Sequence, residues 1–161
     1  VEAMVLADRI AVMAHGEILQ IGNPFELYRS PANSQIAEFF GSINWLHGKV
    51  LADGRVGTEI GPLVIAAARQ YEGNVVVGIR PEDVKLVAAS AEVENSLAGN
   101  VVASVFLGDH VMSEVKIGAT IVNVKSLPDD AKAVGGVTVH LPKQRIVVFP
   151  EAESKQSLQV K

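Results

Sequence analysis

At 161 residues and a formal charge of −4, the chain has room for one ordinary domain or two small ones and holds no general attraction for a phosphate backbone. It contains no cysteine, which excludes a disulfide framework, a thiolate metal site and a cysteine nucleophile. No run of about 18 or more apolar residues occurs, so no stretch reads as a membrane-spanning helix and direct membrane insertion is not expected.

Residues 1–7 are apolar helix formers that begin without Met, cap or turn, as if continuing from something longer. Residues 9–14 then alternate as a strand, His15-Gly16 supplies a tight turn, and 17–21 return to Gly22, which together predict a hairpin. Asn23-Pro24 gives an N-cap followed by proline at the first helical position, so a short helix is expected over 25–29, halted by Ser30-Pro31. A second helix over 33–40 would place Ile36, Phe39 and Phe40 on one apolar face, with Gly41 as its cap.

From Asn44 onward the helical period disappears. Strands are expected over 46–51, 61–65, 75–79, 84–87, 97–107, 110–117, 120–124, 137–141 and 146–149, the pattern of an all-β barrel or sandwich. The most informative stretch is 73–87: Val75, Val77 and Ile79 alternate with Val76, Gly78 and Arg80, and Pro81, with no N–H to give a ladder, stops the strand. Pro81-Glu82-Asp83 has the chemistry of one helical turn before Val84 resumes, so two strands meet at a corner. A weak repeat supports two similar small barrels: Leu46-x-Gly-x-Val50 recurs as Leu97-x-Gly-x-Val101, and Val75-x-Val-x-Ile79 as Val137-x-Val-x-Leu141. The second offset exceeds the first, which calls for a longer connection in the later copy. The expected organisation is a hairpin with two helices over 1–42, a β region over 43–150 and a loose polar tail over 151–161.

Val-Glu-Ala-Met-x-Leu-Ala-Asp-Arg-Ile-Ala-Val-Met at the start, then Ile-x-Gln-x-Gly-x-Pro-x-Glu-Leu-Tyr-x-x-Pro and Phe-Phe-Gly-Ser, resembles the last stretch of the ATPase domain in ATP-binding subunits of ABC-type solute importers. Gly78-Ile-Arg-Pro-Glu-Asp-Val84, at the expected distance downstream, resembles their regulatory TOBE part. The resemblance implies a mainly β fold of tandem OB-like barrel strands behind the hairpin and helices. It implies that ATP and Mg are bound only by a nucleotide-binding part lying before Val1, together with the histidine switch. This sequence carries no Gly-x-x-x-x-Gly-Lys-Ser/Thr loop, no Leu-Ser-Gly-Gly signature and no metal-holding acid of that machinery, so neither a cofactor nor ATP hydrolysis is expected of it. It also implies a homodimer, contact with membrane permease subunits through the ATPase part, and a cytoplasmic place peripheral to the inner face of the membrane. Importers of sugars, polyols and sugar phosphates are the nearest likeness, then those of polyamines and iron.

Several residues invite a chemical reading. His15 stands beside Gly16 and reads as a turn residue. Asp109-His110 would point to opposite faces of a strand and so reads as a turn, not a metal or acid–base pair; Asp129-Asp130 lacks the spaced oxygens of a calcium loop. Glu82 and Asp83 diverge by about 100° on a helical turn, which disfavours joint acid–base work and suits interaction with that turn's N-terminus. Arg80, Lys143 and Arg145 could gather as an anion site at the barrel mouths, or be ordinary surface charges. Trp45 is either a plug at the junction with the β region or an exposed anchor. The dimer surface expected from these residues comprises Trp45, the corner with Gly78, Arg80, Pro81, Glu82 and Asp83, and Phe106-Leu107-Gly108. Two other readings remain in play: a small-ligand module that takes oxyanions, and a nucleic-acid-binding OB fold. The second needs stacking aromatics on a basic groove, and the β region offers only Trp45, Tyr71, Phe106 and Phe149. No nucleic-acid partner is expected.

Overall fold

The computed structural model describes residues 7–87 and 93–151, so the expected helix over 1–7 and the expected loose tail fall almost wholly outside the described residues. The hairpin forms as β1 (Ile10–Ala14) and β2 (Glu17–Gly22), and its turn takes positive φ at both His15 (52°) and Gly16 (82°), as tight hairpin turns require. Helix α1 (Pro24–Arg29) starts with a capping box: Asn23 Oδ1 accepts from the Glu26 N–H at 2.9 Å, and the Glu26 carboxylate accepts from the Asn23 N–H at 3.0 Å. Helix α2 (Ser34–Phe39) is capped by Asn33, which accepts from the Ile36 N–H. Val12, Leu27, Ile36 and Phe40 form a small core under this unit. Phe39 does not join them as expected. It is 71% exposed, because α2 ends there and Phe40, at φ −91° and ψ 3°, leaves the helical period and turns inward. The two rings meet edge to face at 5.2 Å.

The β region is two five-stranded antiparallel sheets that trade their last strands. The first sheet is ordered β12-β6-β3-β4-β5 and the second β10-β9-β8-β11-β7. Their members are β3 (Asn44–Val50), β4 (Val56–Thr58), β5 (Gly61–Leu63), β6 (Asn74–Ile79), β7 (Lys85–Val87), β8 (Ser96–Phe106), β9 (Val111–Ile117), β10 (Thr120–Ser126), β11 (Gly135–His140) and β12 (Val147–Pro150). Strand β6 belongs to the first sheet, but beyond the Pro81 corner the chain enters the second as β7; β11 belongs to the second, but beyond Pro142 it enters the first as β12. Proline ends each ladder and lets the chain change sheets. Both sheets then bury one apolar cluster, which joins Leu46, Val77 and Ile79 of the first to Val101, Val115 and Val139 of the second. Neither barrel owns a separate core.

The sequence repeat is also a repeat of register. Gly48 pairs with Val75 and Gly99 with Val137; Leu46 pairs with Val77 and Leu97 with Val139. The two glycines are needed for the same reason. A Cβ at Gly48 would stand 2.6 Å from Val56 Cγ1, and one at Gly99 2.9 Å from Val115 Cγ1, distances at which something must move. The longer offset of the second copy is not a longer connection. It comes from longer strands: 7, 3 and 3 residues in β3, β4 and β5 against 11, 7 and 7 in β8, β9 and β10. Strand β4 escaped the sequence reading because three residues with a central glycine carry no period.

Candidate functional site: the seam between helix α1 and the barrel corners

The two copies are locked by a pair of asparagines placed two residues before each Leu-x-Gly-x-Val run. Asn44 Nδ2 donates to the Asn123 carbonyl at 2.8 Å and its Oδ1 accepts from the Asn123 N–H at 2.7 Å. Asn95 does the same to Val64, both bonds at 2.7 Å, and Nδ2 also reaches the Leu141 carbonyl at 3.1 Å. Each carboxamide thus stands in for a peptide group against a segment of the other copy. Two residues further on, the Lys125 N–H bonds the Pro81 carbonyl at 2.9 Å and the Ala66 N–H bonds the Lys143 carbonyl at 3.4 Å. Each corner therefore closes against a segment of the opposite copy. The full repeated signal in the sequence is Asn-x-Leu-x-Gly-x-Val.

The first corner is a single turn, with the Asp83 and Val84 N–H groups bonding the Arg80 carbonyl at 3.0 and 3.3 Å. It is roofed by the carboxyl end of α1. Arg80 is 5% exposed; its guanidinium lies 3.7 Å from the centre of the Tyr28 ring, and Nη2 donates to the carbonyls of Tyr28 and Ala37 at 3.2 Å each. Nη1 is buried without a partner, facing Gly41, where a Cβ would stand 3.4 Å away. Burial pulls the Arg80 pKa below its usual value. The corner acids do not serve the N-terminus of their own turn, as the sequence reading expected. Glu82 accepts a hydrogen bond from the Tyr28 hydroxyl, and Asp83 pairs with Arg29 at 2.6 Å. Their divergence sends them to adjacent residues of α1. Burial, reinforced by the bond to Glu82, pushes the Tyr28 phenol up to about 12.

Of the proposed anion-binding residues, Arg80 and Arg145 come together and Lys143 does not. Lys143 Nζ turns to Glu94 at 2.8 Å. Arg145 instead approaches Asp83 from the second corner, Nε to Oδ1 at 3.8 Å, and Arg29 joins from α1. Arg29 carried no signal in the sequence: it lies about fifty residues before Arg80, at the end of a helix whose packing only the fold fixes. These groups surround a cavity of about 220 Å³.

Trp45 is half-buried, its ring over Gly78, whose hypothetical Cβ would stand 2.5 Å from it, and 6.3 Å from the Phe149 ring. It plugs the junction. Pro81 and Asp83 are buried under the roof, so the corner is not an open surface. Phe106 and Leu107 are 63% and 54% exposed, and Gly108 takes φ 94° in the turn that follows, where the Leu107 N–H bonds the His110 carbonyl. In this turn Asp109 and His110 do not diverge as strand residues would. Their side chains meet at 2.6 Å, and that bond holds the Asp109 carboxyl below its usual pKa. No group of three or more metal-ligating side chains occurs among the described residues, and none of their helices is long and apolar enough to cross a membrane.

Residues 77–149 match the TOBE domain family. The chain is 32% identical to the Fe(3+) ions import ATP-binding protein FbpC of Fusobacterium nucleatum over 98% of its own length and 44% of that protein's. It is 33% identical to the sn-glycerol-3-phosphate import ATP-binding protein UgpC of Salmonella choleraesuis, over 92% of this chain and 43% of the relative. It therefore spans less than half the length of these curated relatives. Among solved structures, the cytoplasmic molybdate-binding protein ModG shares the fold, with a TM-score of 0.57 at 16% identity over 66% of this chain and 95% of that one.

Proposed function

We propose that the chain, which matches the C-terminal part of ABC importer ATP-binding subunits with its TOBE domain, serves as the regulatory and dimerisation part of such a subunit. On this reading it neither binds nor hydrolyses ATP by itself. Nucleotide and Mg would belong to a preceding ATPase part, which would also contact the membrane permease subunits and keep the assembly on the cytoplasmic face. Relatives named for iron and for glycerol phosphate match alike, so carbohydrate is one candidate solute among several.

The observation that carries the pairing is the far end of β8. Strand β11 covers β8 only as far as Val101, and from Ala103 to Phe106 its registered pairing is with β9 alone. Val102, Val105, Phe106 and Leu107 are all exposed on this ribbon. An open strand edge beside exposed apolar side chains favours self-association, and pairing about a two-fold axis closes it. A standard interface buries about 1,200–2,000 Å² in total. Light scattering should give a dimer for the whole chain and for a truncated chain beginning at Ile43. A monomer in the shortened chain would assign pairing to the hairpin and helices and defeat this reading. ATP turnover that tracks the chain through repeated purification would defeat its other half. The oxyanion-binding alternative rests on a different feature, the arginine-lined cavity.

A further inference from the structure

A cleft of about 630 Å³ opens in the second copy, between the first corner, β7, the β8–β9 turn and the segment that follows β10. A comparison of the copies explains why it is open. Ala66 and Lys125 occupy equivalent places, each bonding the corner carbonyl of the other copy through its N–H. Two residues on, Ala68 is wholly buried, and a single turn over Ala68–Gln70 leads to Tyr71, which packs on the core. The equivalent Leu127 is 65% exposed, and the turn over Pro128–Asp130 that follows it buries no residue. The connection of the first copy folds onto its barrel end, whereas that of the second stands off and leaves Val84 and Leu86 as the floor of the cleft. Three lysines and three carboxylates line it, so these charges cancel. Half of them are engaged: Lys85 Nζ donates to the Glu82 carbonyl at 2.7 Å, the Glu82 carboxylate holds the Tyr28 hydroxyl, and Asp109 holds His110. The side chains of Lys125, Lys132 and Asp130 have no hydrogen bond or ion pair among the described residues.

We propose that this cleft binds an aliphatic zwitterion, an amino acid or dipeptide with both ends free. Lys125 and Lys132 take its carboxylate, Asp130 takes its ammonium group, and Leu86 and Leu127 receive its aliphatic side chain over Val84. The volume falls within the roughly 300–1,000 Å³ of small-molecule sites, and an apolar floor with a few charged groups at its rim is how such sites fix a ligand's orientation. A simple anion meets no net positive field here, because the acids offset the lysines, while a zwitterion makes a charge-assisted hydrogen bond to each sign at once. Its apolar body also covers Leu127, which nothing in the fold packs against the core. The first copy offers no such place, since Ala68 and Tyr71 of its own connection occupy the equivalent barrel end. The proposal goes beyond the regulatory reading and does not depend on dimerisation, so a monomer in light scattering leaves it standing.

The test is a calorimetric titration of the whole chain with leucine, dileucine, glycine, isocaproate, isoamylamine and inorganic phosphate at matched ionic strength, beside NMR of the leucine methyl groups. Saturable binding of leucine or dileucine at about 1 mM or tighter is expected, with Leu86 and Leu127 the methyls that shift most. Glycine lacks the side chain, isocaproate the ammonium group and isoamylamine the carboxylate, and each should bind about tenfold more weakly or worse. Lys125→Gln and Asp130→Asn, both at exposed side chains, should each weaken binding about fivefold or more, while Lys143→Gln, outside the cleft and engaged by Glu94, should not. Tighter binding of leucine assigns the cleft to a free amino acid and tighter binding of dileucine to a peptide; both support the proposal. Absence of saturable binding by either, isocaproate or phosphate binding as tightly as leucine, or binding indifferent to both Lys125→Gln and Asp130→Asn would overturn it. Should those variants not fold, the unaltered chain decides: leucine and dileucine that leave the Leu86 and Leu127 methyls unmoved overturn the assignment.

Discussion

The asparagine locks give opposite signs for the same pair of substitutions. Asn95 sits at φ 59°, in the left-handed region, and makes three side-chain hydrogen bonds. Asn95→Ala removes all three, at about 0.5–1.5 kcal/mol each, and keeps a Cβ, which costs roughly 1–2 kcal/mol in that region, without the polar side chain that lets asparagine tolerate it. Asn95→Gly removes the same bonds without the conformational cost. Asn95→Ala should therefore destabilise by about 3–5 kcal/mol and Asn95→Gly by about 1 kcal/mol less. Asn44 makes the corresponding two bonds from a backbone that is not at positive φ. There glycine is the worse replacement, by about 0.5–1 kcal/mol, because it frees the unfolded chain and offers a strand nothing to pack. Equilibrium urea unfolding, followed by Trp45 fluorescence and by circular dichroism, measures all four variants. At about 2–4 °C per kcal/mol, melting should rank Asn95→Gly above Asn95→Ala and Asn44→Ala above Asn44→Gly. The same ranking at both positions, or losses below about 1 kcal/mol, would refute the account of these side chains as peptide-like bridges between the copies.

Gly78→Ala should displace the Trp45 ring and shift its emission, at a cost of about 1–3 kcal/mol, because the new Cβ would meet Trp45 at 2.5 Å and Ile43 at 3.0 Å; unchanged emission would contradict the plug. The phenol of Tyr28 should resist ionisation until about pH 12, and Glu82→Gln should bring its titration, read from phenolate absorbance, to lower pH. Since the folded value is the raised one, the stabilisation is whole below the unfolded pKa of about 10 and is lost as pH rises from there through 12. Alkaline unfolding should accordingly steepen in that window, and a pH-independent stability between 10 and 12 would argue against the Tyr28–Glu82 bond.

Local chemistry was legible in the sequence wherever neighbours along the chain decide the outcome. Asn23-Pro24 announces a helix start because cap and first turn lie within three residues. Val75 to Ile79 announces a strand because alternation is a property of one segment, and Pro81 announces its end because a missing N–H needs no context. The paired Leu-x-Gly-x-Val runs revealed two copies, since the same close approach of a neighbouring strand demands glycine in each. What the copies do to one another was not legible. That each donates its last strand to the other's sheet, that Asn44 and Asn95 bridge them, and that Glu82 and Asp83 reach Tyr28 and Arg29 are all decided by contacts between residues some thirty to eighty positions apart. Lys143 and Arg145 looked alike as charges on one turn, yet the fold gives one to Glu94 and turns the other toward Asp83. Sequence pattern reports what a segment prefers, and these pairings depend on which segments the shared core brings together.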